Sequence, residues 1–370
     1  MALQALLAQL NEAAGCPKKQ MEKYLAQGKK IVAVAPVYTP QEIIHSMGLV
    51  PMGVWGADIE INEAKKYYPA FICSIMQTVL ELGMRGEYDG VSAIVIPSLC
   101  DSLKTLGQNW KYAVKNIPFI PMTYPQNRSQ DYGVKFTRAG YMRVIRDLEI
   151  ATGAGFSSFA LAESNRIYNE HNRAMREFAE AAAEGMITAA QRRDVFKSAW
   201  FMLPEEHTEI VRAITRELEK GPRDEGKLPV AVSGILADSE SLLRIFDQNG
   251  IKVVWDDVAH ESRQYRTDVP ELDNPLDALA RKFGAMDNCT LLYDRDKKRV
   301  DYIIHQARKH QAKGVIVLMT KFCDPEEFDY VLIKKACEKA GLLNLNIEVD
   351  RQMVNYEQAG TMLQAFKEMI

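Results

Sequence analysis

The stretch Gly314–Tyr330, GVIVLMTKFCDPEEFDY, joins an apolar run to a cysteine and then to an acidic, helix-forming tail. The run from Gly314 to Thr320 is short, uncharged and rich in β-branched residues, which reads as a buried strand. Asp324, Glu326 and Glu327 crowd the segment after the cysteine, where a helix N-terminus favours negative charge. A strand feeding straight into a helix is the unit of an α/β fold. The same order of parts occurs in AIVIPSLCDSLK (93–104), again with a cysteine, Cys100, at the joint. A third cysteine, Cys73 in PAFICSIMQ (69–77), stands in or just before the first turn of a helix whose apolar face is Ile75, Met76, Val79 and Leu80.

Strand–helix alternation extends outward from these segments. Residues 2–26 read as helical, with Leu3, Leu6, Leu7 and Leu10 on one face. IVAVAPV then reads as a strand, and YTPQEIIHSMG as a helix with Thr39 as cap, Pro40 in its first turn and Glu42 completing a capping box. LVPMGVW, VSAIVIPS (91–98) and IPFIPMT (117–123) continue the strands. From about Lys135 to Glu219 strand signals vanish and helical periodicity takes over. GPRDEGKLP (221–229) is a linker, after which VAVSGILA, IKVVWDD, GVIVLMT and LLNLNIEV restart the alternation. The expected class is α/β, with two Rossmann-like parallel-sheet domains joined by a helical segment. The boundaries read as 1–26 N-terminal helix, 27–134 first α/β domain with Cys73 and Cys100, 135–224 helical segment, and 225–370 second α/β domain with Cys323.

Composition narrows the function classes. The chain has 370 residues, 47% hydrophobic and 26% charged, with net charge −3, which suits a globular protein and argues against a nucleic-acid partner. No run of apolar residues is long enough to span a membrane. The N-terminus lacks a basic region before its apolar stretch, so it does not read as a signal peptide, and a cytoplasmic chain is expected. In that setting the six cysteines are expected to be reduced, metal-bound or buried.

Cys73, Cys100 and Cys323 all fall at helix starts, where partial positive charge lowers a thiol pKa. Ligands gather beyond the carboxyl ends of strands in open α/β sheets, so three thiolates at such a rim would hold a metal or an iron–sulfur cluster. No C-x-x-C pair is present, and scattered cysteines are also common as small buried hydrophobes. Cys337 falls inside a helix and reads as core; Cys16 and Cys289 have no evident role. GAGFSS (153–158) follows a helix and reads as a helix end, not a dinucleotide fingerprint. No G-x-x-x-x-G-K-[ST] is present, so no ATP hydrolysis is expected. His45 and His260 are candidate acids or bases, and Arg128, Arg263 and Arg266 candidate anion contacts, each with an ordinary structural role as the alternative. No residue is assigned as catalytic.

PAFICSIMQ, PSLCDSLKTLGQNWK and MTKFCDPEEFDY resemble the β subunit of the 2-hydroxyacyl-CoA dehydratases, as do VYTPQEIIHSMGLVPMGVWGA, YPQNR, GILADS and DDVAHESRQYRTDV. That family includes 2-hydroxyglutaryl-, 2-hydroxyisocaproyl- and lactoyl-CoA enzymes and is related to benzoyl-CoA reductase subunits. The resemblance spans nearly the whole chain and is weakest in the helical middle. It implies a hydro-lyase of anaerobic amino-acid fermentation that converts (R)-2-hydroxyacyl-CoA to enoyl-CoA through a ketyl radical. It implies an αβ heterodimer with a [4Fe–4S] cluster in each subunit, here between the two α/β domains on Cys73, Cys100 and Cys323. A separate ATP-dependent iron–sulfur activator would inject one electron, which agrees with the missing phosphate loop. Substrate would bind mainly at the α subunit, leaving electron relay to this chain. Two alternatives stay open: a homo-oligomeric double-cubane-cluster reductase of the same superfamily, and a non-catalytic structural subunit with buried free thiols.

Overall fold

The computed structural model of the chain describes residues 2–353 and 355–370. Two helices open it, α1 (Ala2–Gly15) and α2 (Pro17–Ala26). They part at Cys16 because Pro17 lacks the N–H a continuing helix needs and suits only a helix start. The first sheet comes next as β1 (Ile31–Val34), α3 (Gln41–Ser46), β2 (Val50–Gly53), α4 (Ser74–Met84), β3 (Val91–Pro97), α5 (Asp101–Ala113) and β4 (Phe119–Met122). Its strands are parallel in the order β2-β1-β3-β4.

Four helices come after it: α6 (Asp131–Thr152), α7 (Ser158–Glu184), α8 (Ala189–Ser198) and α9 (Pro204–Lys220). Their joints obey local chemistry. Gly153 ends α6 at φ 70°, a left-handed conformation that glycine adopts freely. Ser157 caps α7, so GAGFSS is a helix-to-helix joint, as its sequence indicated. Thr188 and Gln191 form a reciprocal capping box at α8, and Pro204 starts α9.

The second sheet is built from β5 (Leu228–Gly234), α10 (Glu240–Gln248), β6 (Ile251–Val258), α11 (Pro275–Ala285), α12 (Lys298–Lys309), β7 (Gly314–Thr320), α13 (Asp324–Ala340), β8 (Leu343–Val349) and α14 (Glu357–Glu368). Its order is β6-β5-β7-β8, again parallel. The α/β reading with two parallel sheets therefore holds, and both sheets share one topology. β1 and β7 are buried along their whole length, which is why their sequences are unbroken apolar runs.

Packing ties the parts together. One face of the first sheet forms a core with Trp55, Trp200, Ile235, Leu236 and Ala259, so that core draws on the turn between α8 and α9 and on the chain just past β5 and β6. The opposite face is covered by Val144 and Leu148 of α6 and by Leu276, Leu279 and Phe283 of α11. Leu7 and Leu10 of α1 pack with Phe178, Phe196 and Val211 of the middle helices. The expected capping box at Thr39 does not form. Thr39 donates to Ala35 O (2.8 Å), Pro40 takes the cap position, and the Glu42 carboxylate pairs with Lys282 of α11 (2.6 Å). A tertiary ion pair between buried groups has displaced the local cap.

Candidate functional site

The three cysteines stand at the N-cap positions of α4, α5 and α13. Cys100 lies three residues past the end of β3 at Pro97, and Cys323 three past the end of β7 at Thr320. β3 and β7 are the third strands of their respective sheets, so these two thiols occupy equivalent places. Phe322, at φ 62°, turns the chain sharply just before Cys323. Cys73 is positioned differently, at the end of the long loop from β2. Gly56 (φ 71°) lets that loop lie on α4, since a Cβ there would stand 2.1 Å from Thr78 Oγ1 and 3.1 Å from Ile75 O.

The fold brings the three together. Cys73 is buried, and half-buried Cys100 and Cys323 pack against the same apolar cluster. The Ser102 hydroxyl, two residues beyond Cys100, reaches the Cys73 sulfur, as do the N–H groups of Ile75 and Met76. N–H groups of Ser102 and Leu103 serve Cys100, and that of Glu326 serves Cys323. Cys100 also feels the charge of Cys73, and Cys323 that of both. Burial pushes Cys100 up to about 12, aided by Cys73 and opposed by its N–H donors. Burial raises Cys73 as well, and raises Cys323 well above its usual range, the latter with help from Glu326 and Cys73. The lowering expected from helix N-termini is thus present but outweighed by desolvation and mutual repulsion.

Unliganded, these thiols are protonated near neutral pH, and shedding three protons here requires a strongly positive partner. All six cysteines are free. Among the described residues, no three His, Cys, Asp or Glu side chains are gathered tightly enough to hold one metal ion. A cluster that places each thiolate on a separate iron would ask for a wider set with N–H donors to its sulfurs, and backbone N–H donors are present at all three cysteines.

A buried charge network lies beneath Cys323, and the sequence reading missed it. Asp257, Glu326 and Asp329 share Arg299, at 2.8, 2.8 and 3.0 Å. Arg263 and Arg266 add bonds to Asp257 at 3.0 and 2.7 Å. Against the cost of burial, these guanidinium groups hold Asp257 far below the usual carboxylate range. Glu326 is instead pushed up, by burial and by Asp257 and Asp329, despite Arg299 and Arg263.

The remaining candidates have structural roles. Arg128 is buried and donates to Met286 O (2.8 Å) and Tyr293 O (2.6 Å), so it is neither an anion site nor a surface salt bridge. Arg263 belongs to the network above, and Arg266 lies between the rings of Trp255 and Tyr302. His45 is held by Ser164 (2.9 Å) and Glu205 (3.0 Å). His260 is buried against Trp55, and burial lowers it to about 3. Asp101 is exposed and pairs with its helix neighbour Lys104 (3.0 Å). Cys337 is core, as expected, and Cys289 is buried 3.8 Å from Arg263 Nη1.

The chain is similar to known proteins along its whole length. The family described as 2-hydroxyglutaryl-CoA dehydratase, D-component, matches residues 36–370. The chain is 47% identical over 359 residues to the (R)-phenyllactyl-CoA dehydratase beta subunit of Clostridium sporogenes, covering 96% of both chains. It is 41% identical over 375 residues to the lactoyl-CoA dehydratase subunit beta of Anaerotignum propionicum, covering 100% of this chain and 99% of the other. It is 37% identical over 381 residues to the (R)-2-hydroxyglutaryl-CoA dehydratase subunit beta of Acidaminococcus fermentans, covering 100% of each. No helix among the described residues is long and apolar enough to cross a membrane. A match across nine-tenths of the chain, together with end-to-end similarity to three β subunits, establishes that this protein belongs to the 2-hydroxyacyl-CoA dehydratase family, on the side of its β subunits.

Proposed function

We propose that this chain is the β subunit of an (R)-2-hydroxyacyl-CoA dehydratase, a hydro-lyase, and that Cys73, Cys100 and Cys323 hold a [4Fe–4S] cluster that relays an electron. One observation carries the reading: three N-cap thiols from two separate sheets meet at one rim, each with backbone N–H donors. Bound there, the cluster would supply one-electron chemistry. The chain's own part is to present three thiolates and to offset their charge with the N-termini of α4, α5 and α13 and the N–H groups of Ile75, Met76, Ser102, Leu103 and Glu326. Burial keeps water from Cys73, while Cys100 and Cys323 are half-buried. Phe71, Phe322 and Phe328 stand exposed beside Cys73 and Cys323, an apolar border of the kind a partner subunit covers.

That partner is an α subunit in our reading, since the relatives are named as β subunits of dehydratases. The α subunit would hold most of the acyl-CoA, and a separate ATP-driven iron–sulfur activator would supply the electron. The raised thiol pKa values favour one second reading, a structural subunit with three protonated core thiols. Iron and acid-labile sulfide per chain, measured anaerobically, separate the two. About four of each, lost in Cys100→Ala, is the expected result. Near-zero iron in both proteins would leave the structural reading standing and remove ours.

A further inference from the structure

We infer that Arg351 is a positioning residue that sets the separation of Cys73 from Cys323. The inference rests on the reading above, that these thiols serve one group. Cys323 and Arg351 leave neighbouring strands of the second sheet side by side: Thr320 of β7 pairs in register with Val349 of β8, and Lys321 N donates to Val349 O (3.0 Å). Cys73 belongs to the first sheet's side of the molecule, so something must fix one rim against the other. Arg351 makes that connection several times over. Its backbone N–H donates to the hydroxyl of Ser74, the residue next to Cys73 (3.0 Å). Its guanidinium donates to Trp55 O (3.0 Å) and Asp58 (3.1 Å), both on the loop that leads from β2 to Cys73.

The other end of the clasp is on the second sheet, where the same guanidinium meets Asp238, just beyond β5, at 2.7 Å. Asp238 is itself gripped by Lys197 (2.8 Å) and Arg193 (3.4 Å) of α8. Arg351 and Asp238 are both buried. Planar, forked donors suit this task, because one side chain holds acceptors on two rigid bodies at fixed angles, which a lysine cannot do. Cys100 needs no such device, since it shares a sheet with the loop that carries Cys73.

The test compares two thiol pairs in the metal-free, full-length chain. In a Cys16→Ser background, which removes the exposed thiol, a short bifunctional maleimide is applied and the linked peptides are read by mass spectrometry. The parent protein should give both Cys73–Cys100 and Cys73–Cys323 links. In Arg351→Met the second link should fall about tenfold while the first is unchanged. Arg351→Lys, which keeps the charge on Asp238 but not the fork, should recover part of the loss. Asp58→Asn removes a single, half-exposed anchor and guards against a misfolded Met variant; it should lower the Cys73–Cys323 link by a smaller factor at unchanged circular dichroism. Equal yields of that link in parent, Met and Asn proteins would overturn the role of Arg351 alone. Absence of both links in the parent would instead overturn the shared thiol site, and the clasp with it.

Discussion

The two sheets repeat one plan but support their thiols in opposite ways. Cys100 and Cys323 stand at equivalent places, and so do the residues three positions further on, Leu103 and Glu326, both buried. Under Cys100 the support is apolar: Leu103, Leu106 and Trp110 face the core. Under Cys323 it is ionic, with Glu326 and Asp329 turned into Arg263, Arg299 and Asp257. Equivalent positions also meet across the rim. Trp55, two residues past β2, contacts His260, two past β6, with ring centroids 4.8 Å apart. Trp200 joins both sides, its carbonyl accepting from Gly53 N–H (2.8 Å) and its indole N–H donating to His260 O (3.0 Å). A fold can therefore be kept while one half is stabilised by shape and the other by charge, and the two should fail under different stresses.

The greatest difference is expected from Arg299→Met. It removes the guanidinium that Asp257, Glu326 and Asp329 share and leaves Glu326 with Arg263 at 3.8 Å, so global stability in a denaturant titration should fall by about 3–5 kcal/mol. A loss below about 1 kcal/mol would show the network to be redundant with Arg263. The matching change in the other half, Leu103→Ala, should cost about 3 kcal/mol through cavity formation, and that loss should be insensitive to salt and pH.

Acid should separate the halves further. His260 is buried neutral, with its folded pKa of about 3 below the ordinary 6.5. As pH falls through 6.5, the unfolded chain takes up a proton that the native chain does not, so stability declines on the way down. Trp55 at the equivalent position does not titrate. His260→Phe should flatten part of the decline seen in thermal melts between about pH 6.5 and 4, leaving the share due to His171 and His207, both lowered by burial, the latter to about 4. An unchanged slope would mean that His260 takes up its proton in the folded state.

The smallest effect should be local. Glu326→Gln removes a negative charge beside Cys323 but not beside Cys100. In the metal-free chain, alkylation of Cys323 at fixed pH should speed up a few-fold relative to Cys100. Equal rates would place the Glu326 charge fully on its arginines.

The sequence carried some of this contrast openly and hid the rest. Strands such as 91–97 and 314–320 were legible because burial on both faces leaves unbroken apolar runs, and Cys100 and Cys323 because each closes such a run. The ionic floor was concealed. Glu326 reads as a helix-start carboxylate like its exposed neighbours Asp324 and Glu327, yet it shares one buried stripe with Asp329, Ile333 and Cys337 at helical spacing. That periodicity was the available signal. Arg128 and Arg263 were unreadable for a different reason. Arg128 meets Met286 O from far along the chain, and Arg263 is turned back onto Asp257 of β6 by the loop after that strand, whose path no local pattern fixes. Thr39 with Glu42 shows the converse, a sound local motif overruled by a distant lysine.

The covering of the first sheet by α11 bears on how the chain is made. β4 ends at Met122, but Leu276, Leu279 and Phe283, which close that face of its core, are translated about 150 residues later. At ribosomal speed that is a delay of roughly ten to thirty seconds. Throughout it the part of that face not covered by α6 stays open, so the first half emerges early but matures late, and chaperone occupancy should peak before residue 276 is synthesised.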